Sequence, residues 1–284
     1  MHRYPSLAIA VVLLTVCPSR AVEVKPETSA AFNRYTQLSE QRMQNDLQSR
    51  PFLWVDGLPI QQREAVSERL KQGEIVTQRL ETLEHGEPVR VPGGLIHHWL
   101  AVVFIPGVNI KQTLALLQSY DEHSRIYSPH VLRSKLIQHN GDDFKVFLRL
   151  RETKIVTVVL DTEYDVNYVH VDSTRAYSRS YSTRVTEVVG PAESSEHEKP
   201  VGNDSGFLWR LNSYWHFCER DGGVYVQLEA ISLTRDIPDG LGWLIRPFVS
   251  SIPRESLVFT LKRTREALPA VFSDLIHKQN PLRR

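Results

Sequence analysis

Two histidine-containing motifs have the residue types of a metal or acid–base site. His97 and His98 are adjacent in a predicted strand, and Asp121-Glu122-His123 stands at a predicted helix end. Neighbouring residues of a strand point to opposite faces of the sheet, so the two histidines are not expected to bind one ion. A polar cluster at a helix end is usually solvated, and we expect the same of residues 121–123. No metal site is therefore predicted.

A third group combines carboxylates with arginines on two successive predicted strands. Asp161, Glu163 and Asp165 alternate along one strand, and Arg149 and Arg151 alternate along its neighbour. Carboxylates that perform hydrolysis lie in a cleft and have displaced pKa values. Ion pairing across the strands explains the same pattern and is worth roughly 0.2–1 kcal/mol per pair. The sequence also has no glycine-rich phosphate loop, no G-x-S-x-G elbow and no zinc spacing, so neither catalytic residues nor a cofactor are predicted.

The elements that would position a site are clearest near the end of the chain. Two hydrophobic runs, 207–219 and 224–234, flank Asp221-Gly222, a dipeptide typical of a type I′ hairpin turn. The pairs predicted on one face are Phe217 with Val226, Trp215 with Leu228, Ser213 with Ala230 and Leu211 with Ser232. The pairs predicted on the other, mixed face are Cys218 with Tyr225, His216 with Gln227, Tyr214 with Glu229 and Arg210 with Leu233. Small residues between large rings on the first face leave room for a helix or a ligand.

A long helix is predicted after the turn at 236–240. The apolar residues at helical spacing are Leu241, Leu244, Ile245, Phe248 and Ile252, followed by Leu257, Val258, Leu261 and Leu268. Pro253 interrupts this stripe, so a kink or a restart is expected there. The resulting helix over 241–268 is long enough to cross a sheet.

Residues 1–21 have the layout of a secretory signal peptide. His2 and Arg3 precede an apolar run at 7–16, and the small residues Ser19 and Ala21 follow at the cleavage positions. The run is too short for a membrane-spanning helix. We therefore expect an exported protein, periplasmic or secreted. A net charge of +1 gives no general electrostatic reason to bind nucleic acid.

The rest of the chain divides into an N-terminal segment, a main domain and a tail. Residues 22–93 predict two amphipathic helices and a linker rich in glycine and proline. Residues 94–270 predict one strand, two short helices, six further strands and the long helix, and residues 271–284 form a tail. Sequential strands with short turns imply antiparallel pairing. The predicted class is therefore α+β: a curved antiparallel sheet of about seven strands wrapped on a long C-terminal helix, with an N-terminal helical appendage.

This order of elements resembles the START-like, or SRPBCC, superfamily with its helix-grip fold. The end of the chain is similar to bacterial polyketide-cyclase and coenzyme-Q-binding members. The matching stretches are Gly94-Leu95-Ile96-His97-His98-Trp99, Thr113-Leu114-Ala115-Leu116-Leu117-Gln118-Ser119-Tyr120, residues 205–215 and Ile252-Pro253-Arg254-Glu255-Ser256-Leu257. The resemblance implies a deep cavity between the sheet and the terminal helix that holds a lipid, sterol, polyketide, quinone or other apolar molecule.

The residues themselves predict a pocket in the same place. Small side chains on a buried concave face would leave a gap that close packing normally forbids. The predicted ligand-binding residues are Trp209, Leu211, Ser213, Trp215, Leu228 and Ala230 from the sheet and Leu244, Ile245 and Phe248 from the helix. The candidate polar anchors are Tyr164, Tyr177, Arg179 and Tyr181, whose faces depend on the strand register. The alternative is that all these residues fill a solid core.

We therefore predict an exported protein that binds a lipid or another apolar small molecule, more in the manner of a carrier than of an enzyme. One alternative is a cyclase or aromatase-type enzyme that acts on a bound hydrophobic substrate. Another is a lipid transfer protein that touches the membrane transiently through Trp243, at the entrance of the long helix. The sequence indicates neither the ligand nor the oligomeric state.

Overall fold

The structure, a computed structural model, describes residues 22–49, 51–153, 157–201, 203–236 and 242–279. The predicted signal peptide lies outside these ranges. The described helices are α1 (Pro26–Ser49), α2 (Ile60–Lys71), α3 (Ile110–Gln118), α4 (His123–Ile126) and α5 (Gly242–Gln279), with short 3₁₀ helices at Trp54–Gly57 and Tyr120–Glu122. The described strands are β1 (Val22–Glu23), β2 (Val76–Arg79), β3 (Leu83–Glu84), β4 (Glu87–Pro88), β5 (Gly94–Pro106), β6 (Val131–Asn140), β7 (Asp143–Thr153), β8 (Thr157–His170), β9 (Arg175–Val189), β10 (His197–Glu198), β11 (Asn203–Asp204), β12 (Arg210–Arg220) and β13 (Gly223–Arg235).

A nine-stranded antiparallel sheet forms the centre of the fold. Its strand order is β2-β5-β13-β12-β9-β8-β7-β6, and β10 pairs with β9. The seven predicted strands are all present, and the short strands β2 and β10 extend the sheet. The predicted α+β class, with an antiparallel sheet and a long C-terminal helix, is confirmed.

The hairpin of β12 and β13 has the predicted loop and register. Asp221 and Gly222 have φ angles of 57° and 75°, the left-handed conformation that a type I′ turn requires. Ser213 is therefore opposite Ala230, and Trp215 is opposite Leu228. Strand β9 pairs with the other edge of β12, so the same alternation of faces continues into β9.

Helix α5 packs on one face of the sheet, which we call the inner face. It contacts β5 and β13 and also the helices α3 and α4. Leu257, Leu261 and Leu268 are the buried residues by which α5 joins the main core cluster. The helix continues through Pro253, so the restart is excluded, while the alternative, a kink at Pro253, stays a prediction. Within the described ranges, no helix combines the length and apolar character needed to cross a bilayer.

The N-terminal segment covers the opposite face, which we call the outer face. Phe32, Tyr35 and Met43 of α1 pack against Tyr214 and Ile231 of the hairpin. The segment around the first 3₁₀ helix and α2 forms a second cluster beside it. Strand β13 is consequently buried on both faces along almost its whole length. The N-terminal segment therefore forms a layer of the fold. The domain boundary at residue 94 stays a prediction.

Candidate ligand-binding site

Small side chains occupy the middle of the inner face. Ser213 on β12 lies between Ala230 on β13 and Ser180 on β9 in the strand register. Ser178, next on β9, is opposite Trp215. Short side chains at adjacent positions leave a depression in a surface that helix packing would otherwise fill. We call this region the central depression.

Large apolar side chains around the central depression are incompletely buried. They are Trp99, Leu148, Leu150, Leu211, Trp215 and Phe259. Strand β12 is the fourth of eight in the sheet order, where a solid core would bury its inner face completely. Because α5 packs on β5 and β13, the inner side chains of Leu211, Ser213 and Trp215 keep some exposure, whereas Phe217 on the same strand is buried. Incomplete burial on this face is compatible with the predicted pocket, which stays a prediction.

The predicted ligand-binding residues fall into three groups. Those on the inner face are Leu211, Ser213, Trp215, Leu228 and Ala230. Leu244, Ile245 and Phe248 lie in α5, as does Trp243, but the side chains of residues 242–250 lie outside what the structure describes. Whether any of these residues binds a ligand, or touches a membrane, stays a prediction.

Trp209 is on the other side of the sheet, so its predicted place in the pocket is wrong. It packs in the outer cluster with Phe32 and Tyr35, and its Nε1 donates a 3.2 Å hydrogen bond to Oδ1 of Asp204. The alternation of faces does not extend to Trp209, because β12 begins at Arg210.

The strand register also separates the four candidate polar anchors. Tyr164 is on the inner face, where its hydroxyl is buried and has no hydrogen-bond partner among the described residues. Tyr177, Arg179 and Tyr181 are on the outer face, because they pair with His216, Tyr214 and Asn212. Tyr181 donates to Oε1 of Glu40 at 2.7 Å. Tyr164 alone of the four lies on the inner face, and its role as a polar anchor stays a prediction.

His97 adds a second polar group to the inner face. Its Nε2 lies 3.0 Å from Oγ1 of Thr234, and both side chains are buried. Burial, together with the charge of Arg79, lowers the pKa of His97 to about 4. His97 is therefore a neutral imidazole at pH 7.

A polar cluster lies where the inner face of β7 meets α5. Glu152 follows Leu148 and Leu150 on the same face, and its Oε1 accepts hydrogen bonds of 2.9 Å from Nδ1 of His130 and Oγ of Ser256. The His130 ring stacks on Phe259, with ring centroids 4.0 Å apart. The sequence reasoning missed this group. The alternation of Leu148, Leu150 and Glu152 was the available signal.

The outer face carries a buried charged network that the sequence reasoning also missed. Oε1 of Glu229 accepts a 2.7 Å hydrogen bond from His98 and another from Arg42 of α1. Tyr35 of α1 lies 2.9 Å from the other ring nitrogen of His98. Burial acts to raise the pKa of Glu229, but the hydrogen bond from His98 and the charge of Arg42 lower it below its ordinary value. This network ties α1 to the sheet.

The motifs that first suggested chemistry are structural. His97 and His98 point to opposite faces, as predicted. Arg149 makes two 2.7 Å hydrogen bonds to Asp161 across paired strands, which confirms the ion-pair interpretation. His123 is buried against the backbone oxygen of Leu117, so the expected solvated cluster is wrong at that residue. Among the described side chains, no group of three or more His, Cys, Asp or Glu residues could hold a metal ion.

The order and pairing of the described elements define a helix-grip fold. One strand, two short helices, six strands in antiparallel sequence and a final long helix reproduce the predicted START-like arrangement, and the resemblance is confirmed at the level of the fold. A scan against protein-family models and a search of curated proteins gave no match.

Solved structures that are similar to this chain include two STAR-related proteins and an aromatase/cyclase. The STAR-related lipid transfer protein from Xanthomonas axonopodis is 17% identical, with 68% of this chain and 98% of that chain covered and a TM-score of 0.43. The Zhui aromatase/cyclase from Streptomyces sp. R1128 is 11% identical, with 62% and 94% covered and a TM-score of 0.44. Human STARD10 is 10% identical, with 78% and 85% covered and a TM-score of 0.42. At these identities the likeness concerns the fold, and nothing about the site follows from it.

Proposed function

We propose that the protein is an exported carrier that holds one lipid or other apolar small molecule between the inner face of the sheet and α5. The observation that carries this proposal is the incomplete burial of Leu211, Ser213 and Trp215 in the middle of the sheet. Apolar side chains with a few hydrogen-bonding groups are the usual lining of small-molecule sites. Tyr164 and His97 are such polar groups here.

The character of the described walls further supports an apolar ligand. Trp99 and Trp215 provide large rings, while Ser178, Ser180 and Ser213 provide short uncharged side chains. The buried His97 is neutral at pH 7 because its pKa is lowered to about 4. Placing a charged ligand group against such apolar and uncharged walls would cost desolvation free energy. A ligand with a long apolar part and an uncharged polar group fits these walls better than a charged ligand does.

Filling the central depression tests the proposal. Ser213→Trp adds a large side chain at a partly buried position between Ala230 and Ser180, whereas Thr183→Trp adds the same ring at an exposed position of β9. We expect wild type and Thr183→Trp to enhance the fluorescence of the neutral apolar probe N-phenyl-1-naphthylamine, and Ser213→Trp to lose at least tenfold in probe affinity. Circular dichroism and thermal unfolding establish that both variants fold. Equal probe binding by the two folded variants would contradict the proposed site.

Export is supported by the layout of residues 1–21, which have a basic start, an apolar run and small residues before position 22. We expect the protein purified from its own cells to begin at Val22. N-terminal sequencing of the native protein, together with fractionation of the cells, measures this. A mature chain that retains Met1 and remains with the cytoplasmic fraction would remove export from the proposal.

A further inference from the structure

The cluster of His130, Glu152 and Ser256 lies on the inner face, where β7 meets α5. Glu152 ends the row of inner-face side chains that includes Leu148 and Leu150, both incompletely buried. The side chains of His130 and Glu152 are 34% and 31% exposed, so the cluster is accessible from solvent. Phe259, whose ring stacks on His130, also packs against the main core. The cluster is therefore at the edge of the inner face, between β7 and α5, and we call it the rim cluster.

Its hydrogen bonds define which nitrogen of His130 is available. Oε1 of Glu152 accepts a 2.9 Å hydrogen bond from the hydroxyl of Ser256 and lies 2.9 Å from Nδ1 of His130. A carboxylate oxygen accepts, so Nδ1 carries a ring proton, and an imidazole that carries this one proton presents Nε2 as an acceptor. Nε2 has no hydrogen-bond partner among the described residues. Stacking on Phe259 and the bond to Glu152 fix the ring, so this acceptor has a defined direction.

An acceptor held beside a carboxylate selects the head group of an amphiphile. A hydroxyl group can donate to Nε2 of His130, whereas an ester lacks a donor. A carboxylate or phosphate would be repelled by Glu152. We infer that the rim cluster of His130 and Glu152 is a head-group subsite for an uncharged, hydroxyl-bearing amphiphile whose chain lies in the central depression, an inference that rests on the proposed function.

Three ligands with the same twelve-carbon acyl chain separate these head groups: monolauroylglycerol, methyl laurate and laurate. Their affinities are measured by displacement of N-phenyl-1-naphthylamine from the full protein. We expect monolauroylglycerol to bind about tenfold more tightly than methyl laurate and laurate to bind most weakly, because one hydrogen bond is worth about a factor of ten at most. Binding of laurate as tight as that of monolauroylglycerol would overturn the inference.

His130→Phe provides the decisive variant, since phenylalanine keeps the ring against Phe259 and removes Nε2. The matched control is His139→Phe, because His139 also stacks on a phenylalanine, Phe144, but is exposed at the far end of β6. We expect His130→Phe to abolish the preference for monolauroylglycerol with the affinity for methyl laurate unchanged within about twofold, and the control to behave as wild type.

A preference that survives in His130→Phe would refute the subsite while leaving the carrier proposal intact. Failure of the apolar probe itself to bind wild type would refute both.

Discussion

Nε2 of His98 lies 2.7 Å from Oε1 of Glu229, and both side chains are almost completely buried between α1 and the outer face of the sheet. Arg42 from α1 contacts the same carboxylate oxygen. A charge that is removed from water needs such partners, because an unpaired buried carboxylate is strongly unfavourable. The strand residues Glu229 and His98 thus require the N-terminal helix to be in place.

Glu229→Gln should destabilise the protein because it removes the charge that pairs with Arg42 and leaves His98 and Arg42 only a neutral amide oxygen as acceptor. We expect the free energy of unfolding to fall by about 2–3 kcal/mol, measured by urea denaturation. Glu84→Gln is the control, since it breaks the more exposed ion pair with Arg34 and should cost less than about 1 kcal/mol. Similar losses in the two variants would contradict the special role of the buried network.

The protein should lose stability in acid because it buries neutral histidines. Desolvation lowers the pKa of His97, His123 and His216 to about 4 in each case. A base whose pKa is lower in the folded state than in the unfolded state binds protons preferentially on unfolding. Its contribution is therefore present above pH 6.5 and decreases as the pH falls from 6.5 to 4, by about 3 kcal/mol per group.

His123→Gln tests this pH dependence at one site. We expect its free energy of unfolding to decrease less steeply than that of wild type between pH 6.5 and 4. His139→Gln changes an exposed histidine and should keep the wild-type slope. Parallel slopes for all three proteins would show that burial of His123 does not contribute to the acid sensitivity.

Arg149→Lys should be destabilising although it keeps the positive charge. Arg149 is buried and makes two 2.7 Å hydrogen bonds to Asp161, a planar geometry that an ammonium group cannot reproduce. We expect a loss of about 2 kcal/mol in the free energy of unfolding. Arg175→Lys, at the more exposed pair with Asp172, should change it by less than about 0.5 kcal/mol. An effect at Arg149 as small as that at Arg175 would be inconsistent with the buried geometry.

Tyr164→Phe should leave stability unchanged or raise it slightly. The Tyr164 hydroxyl is buried without a hydrogen-bond partner in the described part of the chain. Removing it therefore eliminates the free-energy cost of taking this hydroxyl out of water on folding. Tyr168→Phe removes a hydroxyl that lies 3.0 Å from that of Tyr120, and should cost about 1 kcal/mol. The stabilities of the two variants are compared by thermal unfolding. A larger loss of stability in Tyr164→Phe than in Tyr168→Phe would contradict the absence of a hydrogen-bond partner for the Tyr164 hydroxyl.

Local signals in the sequence were sufficient for the strands and for the register of the β12–β13 hairpin. Asp221-Gly222 fixes the hairpin loop, and the alternation of residues then determines that Ser213 meets Ala230 and Trp215 meets Leu228. The same rule failed at Trp209, because the period of two holds only inside a strand and β12 begins one residue later. A residue at a strand end takes its direction from contacts that are distant in sequence.

The charged sites could not be predicted from the sequence, because each combines residues that are far apart along the chain. Glu229 and Arg42 are separated by 187 positions, and Ser256 and Glu152 by 104. Glu229 in an apolar strand was a visible anomaly, but nothing local indicated that α1 would bring Arg42 to it. The N-terminal helices consequently looked like an appendage, although they bury one face of the sheet.

Native mass spectrometry of the protein purified from its own host under non-denaturing conditions tests the central claim most directly. We predict a population heavier than the polypeptide by the mass of one apolar small molecule. Organic extraction should remove this excess mass, and folded Ser213→Trp should lack it. A wild-type protein that shows the bare polypeptide mass and also fails to bind the neutral naphthylamine probe would contradict the account.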